Sequence, residues 1–252
     1  MLLPKGRVRR TPTNSAFVPA LRNTFSAVTY NIHQWVGSDG VRDPHRTIQI
    51  IRALQADVIG LQEVSFASGM DVMLAEQALS RATGLRVFAG PTLFRKGAHY
   101  GNLLLTRFKA GEVRRVDLSI PGSEPRGAID ADLYIEGKLV RVIVTHLGLR
   151  VRERWYQVNL LAQELSRWRS DFVVLLGDFN CWFPTSIFLW RFITWFGGTG
   201  SAGATFPAHF PLFALDRILI RPRSSLLRMT VIQSPQSQQV SDHLPVKALI
   251  RC

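Results

Sequence analysis

Asn31, His33, Glu63, His146, Asp178, Asn180, Asp216, Asp242 and His243 all stand at or beside the ends of short apolar runs. Taken singly, a carboxylate in such a place reads as a cap or turn residue, and His33 reads as a surface histidine. As a set they differ. Six ends of apolar runs deliver Asp, Glu, Asn or His, and loops at strand ends on a rigid scaffold are where active sites gather. Hard oxygen donors with imidazoles nearby suit Mg²⁺ or Mn²⁺ better than zinc. Such a set supports metal-assisted hydrolysis of a phosphoester. A carboxylate-held cation neutralises phosphoryl and leaving oxygens, imidazolium and amide donors stabilise the transition state, and a second carboxylate orients or deprotonates water. An Asp–His pair would orient the imidazole and favour its cationic form.

The elements that must position these residues are legible as short segments. Ala27–Ile32 and Asp57–Val64 are apolar, β-leaning runs. Asp43-Pro44 opens a helix with Ile48, Ile51 and Leu54 on one face. Met70–Ala82 reads as a second helix, and strands follow near Arg86–Ala89, Asn102–Arg107 and Glu112–Leu118. Ala128–Ile135 and Leu139–His146 form a hairpin through Glu136-Gly137-Lys138. Arg152–Arg169 is a helix, Phe172–Leu176 a buried strand, and Arg217–Ile220, Arg228–Ile232 and Val246–Ile250 late strands. Strands outnumber helices and several are joined as hairpins. The layout is α/β, with two packed sheets and helices outside rather than one parallel sheet.

TYNIH, GLQEV, YGNLLLTR, THLGL, LLGDFN, LDRILI and SDHLP occur in this order. They resemble the endonuclease/exonuclease/phosphatase superfamily, and the resemblance runs from about residue 27 to the C-terminus. It implies a DNase I-like four-layer sandwich of two mainly antiparallel sheets flanked by helices. It also implies Mg²⁺-dependent phosphodiester hydrolysis by attack of water on phosphorus. By match to the motifs, Asn31, Glu63 and Asp242 fall on the metal side, with Glu63 the principal ligand. Asp178 falls on the residue that handles the water or the leaving group, Asn180 and His146 on phosphate contacts, and His243 with Asp216 on the catalytic histidine and its partner. Asn102 and Arg126 match rim positions, and His33 joins them as a substrate-side residue. Abasic-site endonucleases carry Asp where this chain has His33, so the NIH form looks more like small bacterial members of unassigned substrate.

The chain has 252 residues, 31 Lys and Arg against 18 Asp and Glu, and a net charge of +13. A surface that basic attracts polyanions, and the two substrate classes it fits are nucleic acid and anionic phospholipid. Two cysteines, Cys181 and Cys252, exclude a disulfide framework and a cysteine zinc cluster. Residues 1–25 carry five basic and no acidic side chains and read as a flexible basic arm before a single domain at 26–252. The prolines at 4, 12 and 19 oppose a transit-peptide helix. Without a secretory signal or a transmembrane run, the expectation is a cytoplasmic protein, at most peripheral to the inner face of the membrane.

Cys181–Phe196 is strongly aromatic and contains Trp182, Trp190 and Trp195. Two readings stay open: a helix buried against the sheet, or an aromatic and basic surface for a membrane or for stacked bases. Arg150, Arg152 and Arg154 read as a solvated helix entry, and Arg221-Pro222-Arg223 as a charged loop. Two functional readings stand behind the diesterase: a phosphomonoesterase on a soluble phosphorylated metabolite, and a non-catalytic binding protein that keeps the fold.

Overall fold

The structure is a computed structural model and describes residues 23–66, 71–95, 97–167, 170–182, 187–198 and 200–252. Nearly all of the basic arm, the residue expected to start the second helix, and Pro184 and Ser186 therefore lie outside the described residues.

The elements in chain order are β1 (Thr24–Asn31), α1 (Pro44–Ala53), β2 (Val58–Ser65), α2 (Val72–Thr83), β3 (Arg86–Arg95), β4 (Ala98–Thr106), β5 (Lys109–Asp117), β6 (Gly127–Ile135), β7 (Lys138–His146), α3 (Val151–Arg167), β8 (Val173–Asp178), α4 (Ile187–Trp195), β9 (Asp216–Arg221), β10 (Leu226–Val231), α5 (Pro235–Val240) and β11 (Val246–Arg251). They form a six-stranded sheet, order β10-β11-β1-β2-β4-β3, and a five-stranded sheet, order β5-β6-β7-β8-β9. Only β1–β2 and β7–β8 pair in parallel. The remaining neighbours are antiparallel.

Strand periodicity builds the layers. Along β1, Phe25 and Ala27 face the second sheet, where they meet Val144, Val174 and Ile218. Val28 and Tyr30 point the other way, toward Ile51 and Leu54 at the end of α1 and Leu79 of α2. Helices α3 and α4 cover the second sheet, with Val158, Leu161, Phe192 and Phe196 packed on Ile143 and Leu175. This is the four-layer sandwich. Among the described residues, no helix is long and apolar enough to cross a membrane.

Local chemistry explains the boundaries. Asp43 caps α1 by accepting from the His45 and Arg46 backbone N–H groups at 2.9 and 3.3 Å, with Pro44 in the first turn. Glu136 and Gly137, at φ 48° and 77°, make the two-residue β6–β7 turn, which needs positive φ at both positions. Lys138 belongs to the strand, paired with Ile135. The β3–β4 hairpin is longer than its sequence suggests, because Pro91 reads as a strand breaker. β3 is an edge strand with a register shift between Pro91 and Leu93, the setting in which proline is tolerated. Helix α5 has no apolar period. Its sequence signals are Ser234 as N-cap, a capping box with Ser237, and a proline in the first turn.

A buried ion network locks the second sheet to α3. Arg141, 1% exposed, grips Asp130, 2% exposed, at 2.8 and 2.6 Å and also donates to the Glu164 carbonyl at 3.1 Å. Arg114 reaches the same carboxylate at 3.1 and 3.2 Å. Burial works against the Asp130 charge, but the two arginines outweigh it and hold the carboxyl below its ordinary range. The stabilisation is therefore present above the ordinary carboxylate pKa of about 4 and is lost as pH falls through the lower folded value. Replacing Asp130 by Asn strands a buried guanidinium. The expected cost is about 3–5 kcal/mol in urea unfolding at pH 7, shrinking as pH drops below about 4. An equal loss at both pH values would contradict the ion-pair account.

Candidate active site

Strand register brings the first group together. His146 ends β7, Asp178 ends β8 and Asp216 begins β9, and the pairs His146–Asp178 and Asp178–Asp216 are directly opposite. Residues in register on neighbouring strands project to the same side, about 4.8 Å apart. Gly177 is required just before Asp178, because a Cβ there would collide with the Thr145 carbonyl oxygen. Asn180, at φ 48°, turns the chain back, and its N–H donates to Asp178 Oδ1 at 2.8 Å.

The first sheet supplies the other half. Asn31 ends β1 beside Gln62 of β2. Glu63 is not at the end of its strand, as its sequence position suggests. It sits at φ 55° where the β2–β4 register shifts between Leu61 and Val64, a bulge that re-aims its side chain. Asn31 Nδ2 donates to Glu63 Oε1 and to Asp178 Oδ2, each at 3.0 Å, and so links the two sheets. The Ser241 hydroxyl donates to the Asn31 carbonyl at 2.8 Å and accepts from the His243 N–H at 3.2 Å. That hydroxyl fastens the Ser-Asp-His loop to the end of β1.

His243 Nδ1 lies 2.8 Å from Asp216 Oδ2, and its Nε2 lies 3.8 Å from Asp178 Oδ2. Asp216 is fully buried and His243 is 5% exposed. Burial disfavours the imidazolium, but the Asp216 charge and hydrogen bond, with help from Asp178 and Asp242, push His243 up to about 10. His146 goes the other way. Burial first, then the neighbouring Arg126 charge, bring it down to about 3. Arg126 Nη1 stands 3.2 Å from His146 Nδ1, and Asn180 Nδ2 stands 3.0 Å from His146 Nε2. A neutral ring accepts at only one of its nitrogens, while a second ring proton would face the Arg126 guanidinium, so these neighbours disfavour the imidazolium. The surroundings therefore favour the charged form of His243 and the neutral form of His146, one on either side of Asp178.

These groups open into a cleft of about 770 Å³. Tyr100 and Arg126 stand on one wall and Trp182 and Phe206 on another. Phe206 packs on the His243 ring at 4.9 Å, and Trp182 packs edge-on against Phe206 and Phe213. Burial, then the Glu63 charge, push the Tyr100 phenol up, so it remains an O–H donor. Tyr100, Phe206 and Ser241 were not among the residues the motifs single out. Tyr100 carried a signal, since it lies two positions before Asn102 and so on the same strand face. Phe206 carried none.

The donor set fits a hard divalent cation. Glu63 and Asp178 direct oxygens at one amide, Asp242 lines the same cleft, and His243 is the positive group that faces them. Burial, and then the Asp178 and Asp242 charges, raise Glu63 above its ordinary range despite the Asn31 hydrogen bond. Unbalanced negative charge among oxygen donors is what Mg²⁺ relieves. Asp178, Asp216 and His243 also offer ligand-type atoms within 4.8 Å of one another. Because His243 Nδ1 is engaged by the inaccessible Asp216, that trio is better suited to orienting the imidazole than to holding an ion.

Four residues with proposed contacts fall elsewhere. His33 gives the site its backbone N–H, which donates to Asn31 Oδ1 at 3.0 Å. Its ring stays beside the Val36 carbonyl, 3.8 Å from Asp242. Asn102 is buried behind the cleft, where its Nδ2 ties β4 to the Gly127 carbonyl at 2.9 Å. The three tryptophans do not make one surface. Trp182 is at the cleft, whereas the Trp195 ring lies under Arg221, 4.4 Å away, at the far end of β9 from Asp216. Five residue steps of strand span about 16 Å. Trp190 and Trp195, five apart on α4, diverge by about 140°. Phe192 and Phe196 are buried and Trp190 and Trp195 exposed, so the burial reading holds for part of the segment. Arg154, expected to be solvated, donates to the Gly148 and Leu149 carbonyls at 3.2 and 2.5 Å.

The sequence model of the Endonuclease/Exonuclease/phosphatase family matches residues 28–243. The protein YbhP of Escherichia coli K12, itself uncharacterized, is 28% identical over 246 residues, which is 90% of this chain and 96% of YbhP. Among solved structures, an endonuclease/exonuclease/phosphatase from Beutenbergia cavernae superposes with a TM-score of 0.74 at 24% identity, over 91% of this chain and 72% of that one. The mannosyl-6-phosphatase Bt3783 of Bacteroides thetaiotaomicron gives 0.67 at 18%, over 90% and 99%. The chain belongs to the endonuclease/exonuclease/phosphatase family, and with it to the hydrolases that act on phosphate ester bonds.

The two histidines can be separated by NMR. In nitrogen-correlated spectra of the metal-free protein, His243 should stay protonated at pH 8 while His146 stays neutral at pH 5. Asp216→Asn should bring the His243 titration down by several pH units and leave His146 unmoved. Two histidines that titrate together near the ordinary value of about 6.5 would refute the assignment.

Proposed function

We propose that this protein is a Mg²⁺-dependent phosphodiester hydrolase, with a nucleic acid or a phospholipid headgroup as substrate. The observation that carries the reading is the arrangement around Asp178, with His243 held 2.8 Å from the buried Asp216 on one side and His146 set between Arg126 and Asn180 on the other. The cationic His243, held by Asp216, donates from Nε2 to a phosphoryl oxygen, whose negative charge grows as water attacks. Asp178, with Oδ1 fixed by the Asn180 N–H, offers Oδ2 to the water and takes its proton. Asn180, whose Nδ2 reaches His146 and the Leu147 carbonyl, and the His146 ring adjoin the phosphate position without adding charge. Arg126 and the Tyr100 hydroxyl stand where a non-bridging oxygen enters the cleft. Glu63, Asn31 and Asp242 would hold Mg²⁺, or Mn²⁺ in its place, and the bound ion supplies positive charge for a phosphoryl oxygen and the leaving oxygen.

Cleft shape supports a diester over a monoester. Leu93, Leu149, Trp182 and Phe206 all line the cleft, so apolar groups on the ester arms have side chains to pack against. The mannosyl-6-phosphatase among the structural neighbours makes the monoester the reading to test against. The full set of carboxylates and histidines speaks against a binding protein that has lost catalysis.

Hydrolysis of bis-p-nitrophenyl phosphate in Mg²⁺ tests this directly. Turnover should stop with EDTA and return with Mg²⁺ or Mn²⁺. His243→Ala and Asp178→Asn should each lower kcat by about 10²- to 10⁴-fold with KM little changed. Faster release from p-nitrophenyl phosphate than from the diester would replace this reading with the monoesterase. Activity indifferent to EDTA and to both substitutions would end it.

A further inference from the structure

Several large apolar side chains are exposed on the end of the molecule that carries the cleft. Leu149, between β7 and α3, lines the cleft and is 61% exposed, and Val151 follows at the first position of α3. Trp155, one turn further along α3, continues that stripe and is 47% exposed. Phe94, near the tip of the β3–β4 hairpin, is exposed and stacks on His99, which lines the cleft. Phe206, also on the cleft, leads into a loop whose Phe210 and Leu212 are 71% and 60% exposed. Single exposed hydrophobics are ordinary, but three separate loops raising them around one cleft are not. At the other end of the second sheet Tyr134, Leu139 and Trp195 are exposed as well, so it is the position around the cleft that sets this group apart.

Charge accompanies the ring. Arg150, 76% exposed, stands between Leu149 and Val151, Arg152 follows, and Arg42 is exposed on the cleft wall. The chain as a whole carries +13. Aliphatic Leu149, Val151 and Leu212 have no ring to stack on a base. They gain free energy by entering the acyl boundary, while arginine beside them pairs with anionic headgroups and tryptophan sits at the interface.

We propose that this ring is a membrane-docking face: the cleft mouth seats on an anionic phospholipid bilayer, with Phe94, Val151, Phe210 and Leu212 entering the headgroup–acyl boundary around the site. The surface expected on the segment at 182–196 is thereby reassigned to the loops that frame the cleft. The inference rests on the proposed hydrolase reading for its consequence, since a docked cleft receives lipid phosphodiesters rather than soluble ones.

Vesicle flotation of the full chain tests it, using His243→Ala so that no lipid is consumed. Vesicles of phosphatidylglycerol and phosphatidylcholine at 3:7 should carry the protein, and pure phosphatidylcholine should carry much less. Val151→Glu with Phe210→Glu and Leu212→Glu, none of which lines the cleft, should lower the partition coefficient by roughly tenfold or more, because binding scales with buried apolar area. In the His243 background, circular dichroism confirms that the triple variant folds. With His243 restored, the same triple variant should hydrolyse the soluble diester at the unsubstituted rate. Absence of binding to anionic vesicles overturns the proposal. So does binding that survives the triple substitution yet vanishes in high salt and is displaced by single-stranded DNA, which marks a polyelectrolyte surface instead. Docking without cleavage of the lipid phosphodiester by the unsubstituted protein leaves the docking face standing and removes the lipid as substrate of the proposed hydrolase.

Discussion

The contact on which the site depends is the 2.8 Å approach of His243 to Asp216. Neither residue is held by its own element alone. Asp216 is fixed as the first residue of β9, directly opposite Asp178. His243 arrives on a loop between α5 and β11, fastened by Ser241 to the end of β1 in the other sheet. The pair can form only when both sheets are packed, so the charge state of His243 is a property of the sandwich rather than of the SDH motif. The bridge from Asn31 to Glu63 and Asp178 carries the same dependence through a second route. Catalytic geometry and tertiary packing are then lost together, which is why a site spread across two sheets can be as stiff as one built on a single element.

Opposite ionisation of two buried imidazoles follows from their neighbours. Both rings suffer desolvation. His243 has a buried carboxylate at hydrogen-bond distance, whereas His146 has a guanidinium at 3.2 Å and sees Asp178 only at 3.5 Å. The carboxylate wins against burial, and the guanidinium adds to it. One ring can therefore stabilise charge and the other can contact an anion without repelling a nearby cation. Titratable groups pushed apart in this way divide the roles in a site.

Much of this was legible in the sequence, and the misses have physical causes. The polar residues at the ends of apolar runs marked where strands finish, because a strand must surrender its buried run before a polar side chain can reach a cleft. Two packed sheets with helices outside followed from counting strands, hairpins and helices, and the four-layer form from the family resemblance. Glu63 was placed at a strand end because a bulge leaves no trace in a run such as VIGLQEVS; its positive φ is visible only in the pairing with β4. Asn102 lies in a strand, and its Nδ2 bonds a carbonyl of the facing sheet, a partner that no local pattern encodes. The tryptophans at 182, 190 and 195 are neighbours in the chain but not on the surface, since helical rotation and the length of β9 separate them.

Charge is distributed against its average. The chain is strongly basic, yet its cleft collects Glu63, Asp178 and Asp242, with Asp216 buried behind them. A uniformly positive cleft would bind a polyanion and hold it, and a uniformly negative one would repel it. Here the long-range field of the surface draws the anion in, and the local carboxylates create a deficit that a divalent cation fills. The phosphate then meets positive charge at both ranges, while the carboxylate that handles the proton remains a base. An apolar ring between the basic surface and the acidic floor adds a third requirement. On the proposed docking, a substrate that satisfies all three has an anionic head, an ester on each side of phosphorus, and hydrocarbon to set against the rim.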